Sequence, residues 1–145
     1  EAYLTGFGER MGVLLSREQW VAARRIAMEP DHEMLDLVQA LARRTTVALL
    51  TNNGALLEET IEEAFPGLRP LFGERSFFAW RFGTAKPDPA IYRAVCQRLG
   101  TKPEETFFLD DAPENAEGAR AAGLLGHHFT GIEALRGELA RYGLP

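Results

Sequence analysis

Apolar positions change period several times along the chain, and each change marks the end of one element and the start of another. Leu4, Phe7 and Met11 share a helical face, and Ser16 with Gln19 forms a capping-box pattern before Trp20, Val21, Ala22 and Ile26. Two short helices with a Gly/Val break are predicted over residues 1–28. Asp31 is placed to cap a helix over residues 32–44, where Leu35, Val38, Leu41 and Ala42 form one stripe and Arg43 and Arg44 suit the negative end of the helix dipole. Residues 45–50, TTVALL, are too uniformly apolar and β-branched for a strand with one wet face. The run ends at Thr51-Asn52-Asn53-Gly54, and Leu56, Leu57, Ile61, Ala64 and Phe65 then predict a helix that Pro66-Gly67 closes.

A short extended piece is expected over residues 76–80. Asp88 before Pro89 is a helix start, because proline suits the first helical position, and that helix runs through Ala94, Val95 and Leu99 to Gly100. Phe107, Phe108 and Leu109 read as a second strand buried on both faces, stopping at Asp110 and Asp111. Asn115 is expected to cap a helix bearing Ala116, Ala119, Ala121 and Ala122, with Gly123 as its stop. A last strand over residues 124–130 and a helix marked by Ile132, Leu135 and Leu139 complete the chain. From Asp31 onward strands and helices alternate. That order predicts an α/β fold with a parallel sheet and helices on both faces.

Composition narrows the function. With 145 residues, 26% of them charged, the chain is sized for one ordinary domain. A net charge of -5 argues against a general nucleic-acid or membrane-surface binder, since both partners are polyanions. Cys96 is the single cysteine, which excludes a disulfide framework within the chain, and its setting predicts a small buried residue. No apolar run approaches a membrane span and no signal-peptide pattern opens the chain, so a reducing cytoplasmic setting is expected. The first residue is glutamate, not methionine, which reads as a processed chain or a fragment.

The chemistry gathers at strand and loop ends. Two carboxylates side by side repel by roughly 4 kcal/mol at about 4 Å and an effective dielectric of about 20, so Asp110 and Asp111 call for a compensating cation or base. Hard oxygens at the carboxyl end of a parallel strand suit Mg²⁺ with its waters and a substrate phosphate. Thr51, with flanking backbone N–H groups, can hold phosphate oxygens, and Lys86 can neutralise phosphate or a carboxylate. Taken singly, Thr51-Asn52-Asn53-Gly54 is a turn, Lys86 is solvated surface and Asp-Asp-x-Pro is another turn. Taken together in this order, they are the parts that stabilise a transferring phosphoryl group. His127 and His128 face opposite ways on a strand and are not joint ligands, while Trp20 and Trp80 are expected to serve packing.

LLTNN at Thr51, KPDP at Lys86 and FLDD at Asp110 and Asp111 resemble, in order, the second, third and fourth motifs of the haloacid dehalogenase-like (HAD) hydrolases, close to the small phosphatases with a helical cap. The resemblance implies a three-layer Rossmann-like core over residues 31–145, with residues 1–30 as the remnant of the cap. It implies that Thr51 binds the phosphoryl oxygens, Asn52 helps position substrate, and Lys86 steadies nucleophile and phosphate. Asp111 would ligate Mg²⁺ directly and Asp110 would support the metal waters. A small phosphorylated metabolite is the implied substrate, hydrolysed through an aspartyl-phosphate.

The family's first motif, Asp-x-Asp on a strand in the middle of the sheet, is absent from these residues. Its strand belongs between the one ending at Thr51 and the one ending at Asp110, and without it two facing edges lose their partners. The expectation is therefore that the nucleophile lies on a longer chain and that this segment alone is inert. The alternative is a pseudoenzyme or interaction domain that keeps the scaffold, and dehalogenation is a lesser reading. A receiver domain has similar parts, but there the acid pair comes first and the lysine last.

Overall fold

Residues 15–145 are described by a computed structural model. The elements, in chain order, are α1 (Arg17–Ala27), α2 (His32–Ala42), β1 (Leu49–Thr51), α3 (Ala55–Ala64), α4 (Leu68–Phe72), β2 (Ser76–Phe78), α5 (Pro89–Leu99), β3 (Phe107–Asp110), α6 (Pro113–Ala121), β4 (Leu125–His128) and α7 (Ile132–Ala140). Short 3-10 turns lie at Gly73–Arg75, Ala79–Phe82 and Pro103–Glu105. The helix expected around Leu4, Phe7 and Met11 falls outside the described residues.

The start signals act where they were expected. Ser16 and Gln19 close a reciprocal capping box on α1, the Asp31 side chain accepts from the Met34 N–H, and Asp88 accepts from Ala90 with Pro89 opening α5. Asn115 does not cap α6. The helix already begins at Pro113 with Ala112 at its cap, because proline's fixed φ and missing N–H suit that first position. The small helix α4 was not anticipated, since Pro66-Gly67 reads only as a stop.

The strands are parallel, as alternation with helices requires, but among the described residues they form two separate pairs. β1 pairs with β2, Leu50 opposite Phe77, and β3 pairs with β4, Leu109 opposite His127. Helices cover both faces of β3. Phe107 and Leu109 pack with Leu37 of α2 and Leu135 and Leu139 of α7, whereas Phe108 turns to the cluster of Ile91, Tyr92 and Cys96 on α5 and Ala119 on α6. Neighbouring strand residues point to opposite faces, so these clusters are the outer layers of a three-layer α/β body. Cys96 is buried, as its sequence setting predicted.

Between the two pairs lies a groove of about 660 Å³. Its walls include Leu49 and Leu50 of β1 and every residue of β3, but none of β2 or β4, so it runs between the two inner edges. This gap accounts for two departures from the sequence reading. β1 and β3, expected to be buried on both faces, are only partly buried along their whole length. Only Leu49–Thr51 of the long apolar run joins a ladder, because its partner β2 has three residues and the other edge has no partner among the described residues. Upstream, the Val47 carbonyl accepts from Arg75 Nε at 2.8 Å, a side chain standing in for a ladder. α1 sits apart, its Trp20 and Val21 packed on Ala64 of α3 and its Arg17 paired with Glu63.

Glycine at 126 lets β4 lie close under α6, since a Cβ there would stand 2.3 Å from the Ala116 carbonyl oxygen. Gly137, inside α7, faces open space. We therefore expect Gly126→Ala to lower unfolding stability by about 1–3 kcal/mol through overpacking and Gly137→Ala to raise it by about 0.5–1 kcal/mol through reduced backbone entropy. Urea unfolding of the two variants checks this, and equal effects would contradict the packing described.

Candidate functional site

β1 and β3 deliver their carboxyl ends to one rim, and the loop before α5 brings Lys86 between them. Asn52, directly after β1, accepts from the Lys86 N–H through Oδ1 at 2.9 Å and donates from Nδ2 to the Lys86 carbonyl at 2.9 Å. The Lys86 side chain crosses to β3, where Nζ donates to Asp110 Oδ2 at 2.5 Å. Both partners are nearly sealed from solvent, with side chains 11% and 7% exposed. The ammonium also stands 5.7 Å over the Phe108 ring, whose π face favours a cation. Lys86 is thus no solvated surface lysine.

Asp110 is held at every oxygen. Oδ1 accepts from the Ala112 N–H at 3.0 Å and from Asn115 Nδ2 at 2.9 Å, while Oδ2 takes Lys86. Burial by itself would raise the Asp110 carboxyl, but the Lys86 ammonium, the Asn115 amide and the Ala112 N–H outweigh it and hold the group below the ordinary carboxylate range. Asn115 is held in turn by the Tyr92 hydroxyl, which donates to its carbonyl at 2.7 Å. Burial, with the Asp110 charge adding to it, pushes the Tyr92 hydroxyl up to about 12, so it is a neutral donor at any working pH.

The other expected residues stand at the same rim with different surroundings. The Thr51 hydroxyl accepts from the Asn53 N–H at 3.3 Å and from Asn53 Nδ2 at 2.6 Å, which occupies its lone pairs and leaves its O–H to donate outward. It makes no bond to Lys86 or Asp110 among the described residues. The Asp111 carboxylate is exposed and accepts no hydrogen bond from the described residues, while its backbone carbonyl lies 3.1 Å from His128 Nε2. His127 turns the other way and stacks on Phe107, so the two histidines diverge as their alternation required. Trp20 is buried, whereas Trp80 is half exposed and donates to Glu58.

Asn115 and Tyr92 were missed as site residues. The signal was present: Pro113 at the first helical position puts Asn115 inside the first turn, aimed back at the end of β3. The donor set also bears on Mg²⁺. No cluster of three or more His, Cys, Asp or Glu that could hold a metal exists among the described residues. A magnesium site needs only one or two carboxylates, its remaining positions being water and phosphate, and one free hard carboxylate beside a second, firmly oriented one fits that requirement.

A family description, haloacid dehalogenase-like hydrolase, matches residues 5–123. The chain belongs to the haloacid dehalogenase-like hydrolases. Among curated proteins, this HAD-like chain is 34% identical over 88 residues to a Mycobacterium tuberculosis phosphatase, covering 61% of the chain and 40% of that protein. It is 33% identical over 96 residues to a Thermotoga maritima phosphorylated carbohydrates phosphatase, covering 63% of the chain and 41% of the relative. A solved HAD family enzyme from Bacteroides thetaiotaomicron, in complex with magnesium and inorganic phosphate, superposes with a TM-score of 0.67 at 29% identity over 86% of the chain and 65% of that structure. The chain thus spans less than half the length of the two curated phosphatases.

The HAD-like rim makes a pH-dependent stability prediction. Asp110 is depressed in the folded state, so its contribution is complete above the ordinary carboxylate value of about 3.9 and is lost as pH falls through the lower folded value. Asp110→Asn leaves the Lys86 ammonium buried without its charge partner and should lower stability at pH 7 by about 3–5 kcal/mol. That deficit should shrink as pH falls below about 4, where the unfolded wild-type carboxylate takes up its proton first and the folded one follows at its lower value. Urea unfolding midpoints at pH 7 and pH 3 test it, and a deficit independent of pH would refute the pairing.

Proposed function

We propose that the full-length protein is a Mg²⁺-dependent phosphatase of small phosphate esters that works through an aspartyl-phosphate. The observation carrying this reading is the nearly sealed Lys86–Asp110 pair at the rim of the groove that the described residues leave between β1 and β3. Asn52, Lys86 and Asp110 link the carboxyl ends of both strands, so a strand running parallel between them would end at the Lys86 ammonium. We assign that slot to a strand outside these 145 residues carrying the attacking aspartate. The core is then residues 31–145, and residues 1–30 are what these residues hold of a helical cap.

At this rim the chain's own residues supply positive charge and donors. Lys86 gives one N–H to Asp110 and keeps two, which can reach a phosphoryl oxygen and the incoming carboxylate. The free Thr51 O–H can donate to a second phosphoryl oxygen, stabilising charge where it develops. Asp111 would hold Mg²⁺ directly, and Asp110, with one acceptor position left beyond its three donors, would orient the metal's waters. Bound there, the ion would neutralise phosphoryl charge and align the ester for in-line attack. The phosphatase names and the magnesium and phosphate complex among the relatives support this reading.

Full-length protein should hydrolyse p-nitrophenyl phosphate with Mg²⁺ and lose that activity with EDTA, and Lys86→Ala should reduce kcat by about 10²–10³-fold. The 145-residue chain alone should show no turnover. Steady-state assays check all three points. Turnover by the 145-residue chain at ordinary enzyme rates would overturn the assignment of the nucleophile to another strand, and a full-length protein inert towards phosphate esters would favour a non-catalytic scaffold.

A further inference from the structure

We propose that Asn52 is a positioning residue that serves the reaction through Lys86, clamping the main chain from which the ammonium is aimed. The proposal rests on the phosphatase reading above. It departs from the role the resemblance implies, in which the Asn52 carboxamide turns to substrate. The carboxamide forms a two-point contact with one residue 34 positions away, Oδ1 to the Lys86 N–H and Nδ2 to the Lys86 carbonyl, each at 2.9 Å. A donor and an acceptor of the backbone meet an acceptor and a donor of the side chain, so only one orientation of the amide satisfies both.

The same loop is pressed from its other side. Gly118 of α6 approaches Pro87 so closely that a Cβ at 118 would stand 2.0 Å from the Pro87 carbonyl oxygen. Residues 86 and 87 are therefore fixed between the exit of β1 and the body of α6. From that fixed backbone the Lys86 side chain reaches Asp110 Oδ2 at 2.5 Å and lies over Phe108. Removing the Asn52 amide leaves the lysine present and charged but frees the loop on the β1 side. A charge displaced by about 1 Å from a transition state forfeits on the order of 10²-fold in rate, while substrate binding suffers little.

The test is a double-mutant cycle in the full-length protein with p-nitrophenyl phosphate and Mg²⁺. Asn52→Ala alone should lower kcat about 10- to 100-fold with KM unchanged within about twofold. In the Lys86→Ala background the same change should cost nothing further in kcat. Residue 86 still offers its N–H and carbonyl there, so any purely architectural effect of Asn52 persists and only the route through the ammonium is gone. Equal losses in both backgrounds, or a rise in KM alone, would overturn the proposal and return Asn52 to direct contact with substrate.

A second readout does not depend on turnover. Asn52→Ala should shift the ¹⁵N resonance of the Lys86 ammonium and speed hydrogen exchange at the Lys86 amide in the same protein. An unmoved ammonium resonance would refute the clamp. Wild-type protein without activity, with the ammonium nonetheless displaced in the variant, would sink the phosphatase reading and leave the clamp standing.

Discussion

A buried lysine–aspartate pair joins two half-sheets that share no ladder among the described residues. β1 with β2 and β3 with β4 are each paired internally, and at the rim they are connected through Asn52, the Lys86 backbone, the Lys86 ammonium and the Asp110 carboxylate. Taking two charges out of water costs several kcal/mol per ion, so such a pair persists only where further hydrogen bonds complete the geometry. Here they do. Ala112 and Asn115 occupy the other Asp110 oxygen, Tyr92 fixes Asn115, and Phe108 lies under the ammonium. The consequence is a cation held at the carboxyl ends of two parallel strands with little freedom to move.

Much of this was readable from residue order. The parallel α/β architecture followed from alternating runs at TTVALL and FFL, and four start signals, Ser16, Asp31, Asp88 and Pro89, act as their chemistry dictates. Convergence of Asn52, Lys86 and Asp110 followed from the rule that such sheets present their functional groups beyond the strand ends. What the residues did not disclose is long-range. That Asn52 would grip a backbone 34 positions on, or that Gly118 would let α6 meet Pro87, depends on how loops pack, and no local period encodes it. Asparagine is a frequent cap, which is why the sequence points to Asn115, but Pro113 two positions earlier is the stronger start signal and opens α6.

The half-burial of β1 and β3 has the same origin as their sequence. Runs as apolar as theirs are selected for strands covered on both faces and paired on both edges. α2 and α7 cover one face of β3 and α5 and α6 the other, yet the inner edges border a groove of about 660 Å³. A peptide group that is buried without a partner costs about 1–3 kcal/mol, so edges like these are stable only while water reaches them or a further strand pairs with them. The apolar run and the groove beside it both fit the proposed strand between them.

The proposed reading divides the chemistry of the site between the described residues and a strand that would lie between β1 and β3. On that reading the described residues supply a nearly sealed ammonium, a hydroxyl free to donate, an oriented carboxylate and an exposed one. Asp110 has three of its roughly four acceptor positions filled by donors, and Asp111 stands exposed after it. On that reading, an attacking carboxylate carried between β1 and β3 would arrive beside Asp110, which lines the groove and holds the Lys86 ammonium. The slot that leaves the sheet incomplete is thus also the place from which an attacking group would be stabilised as it arrives.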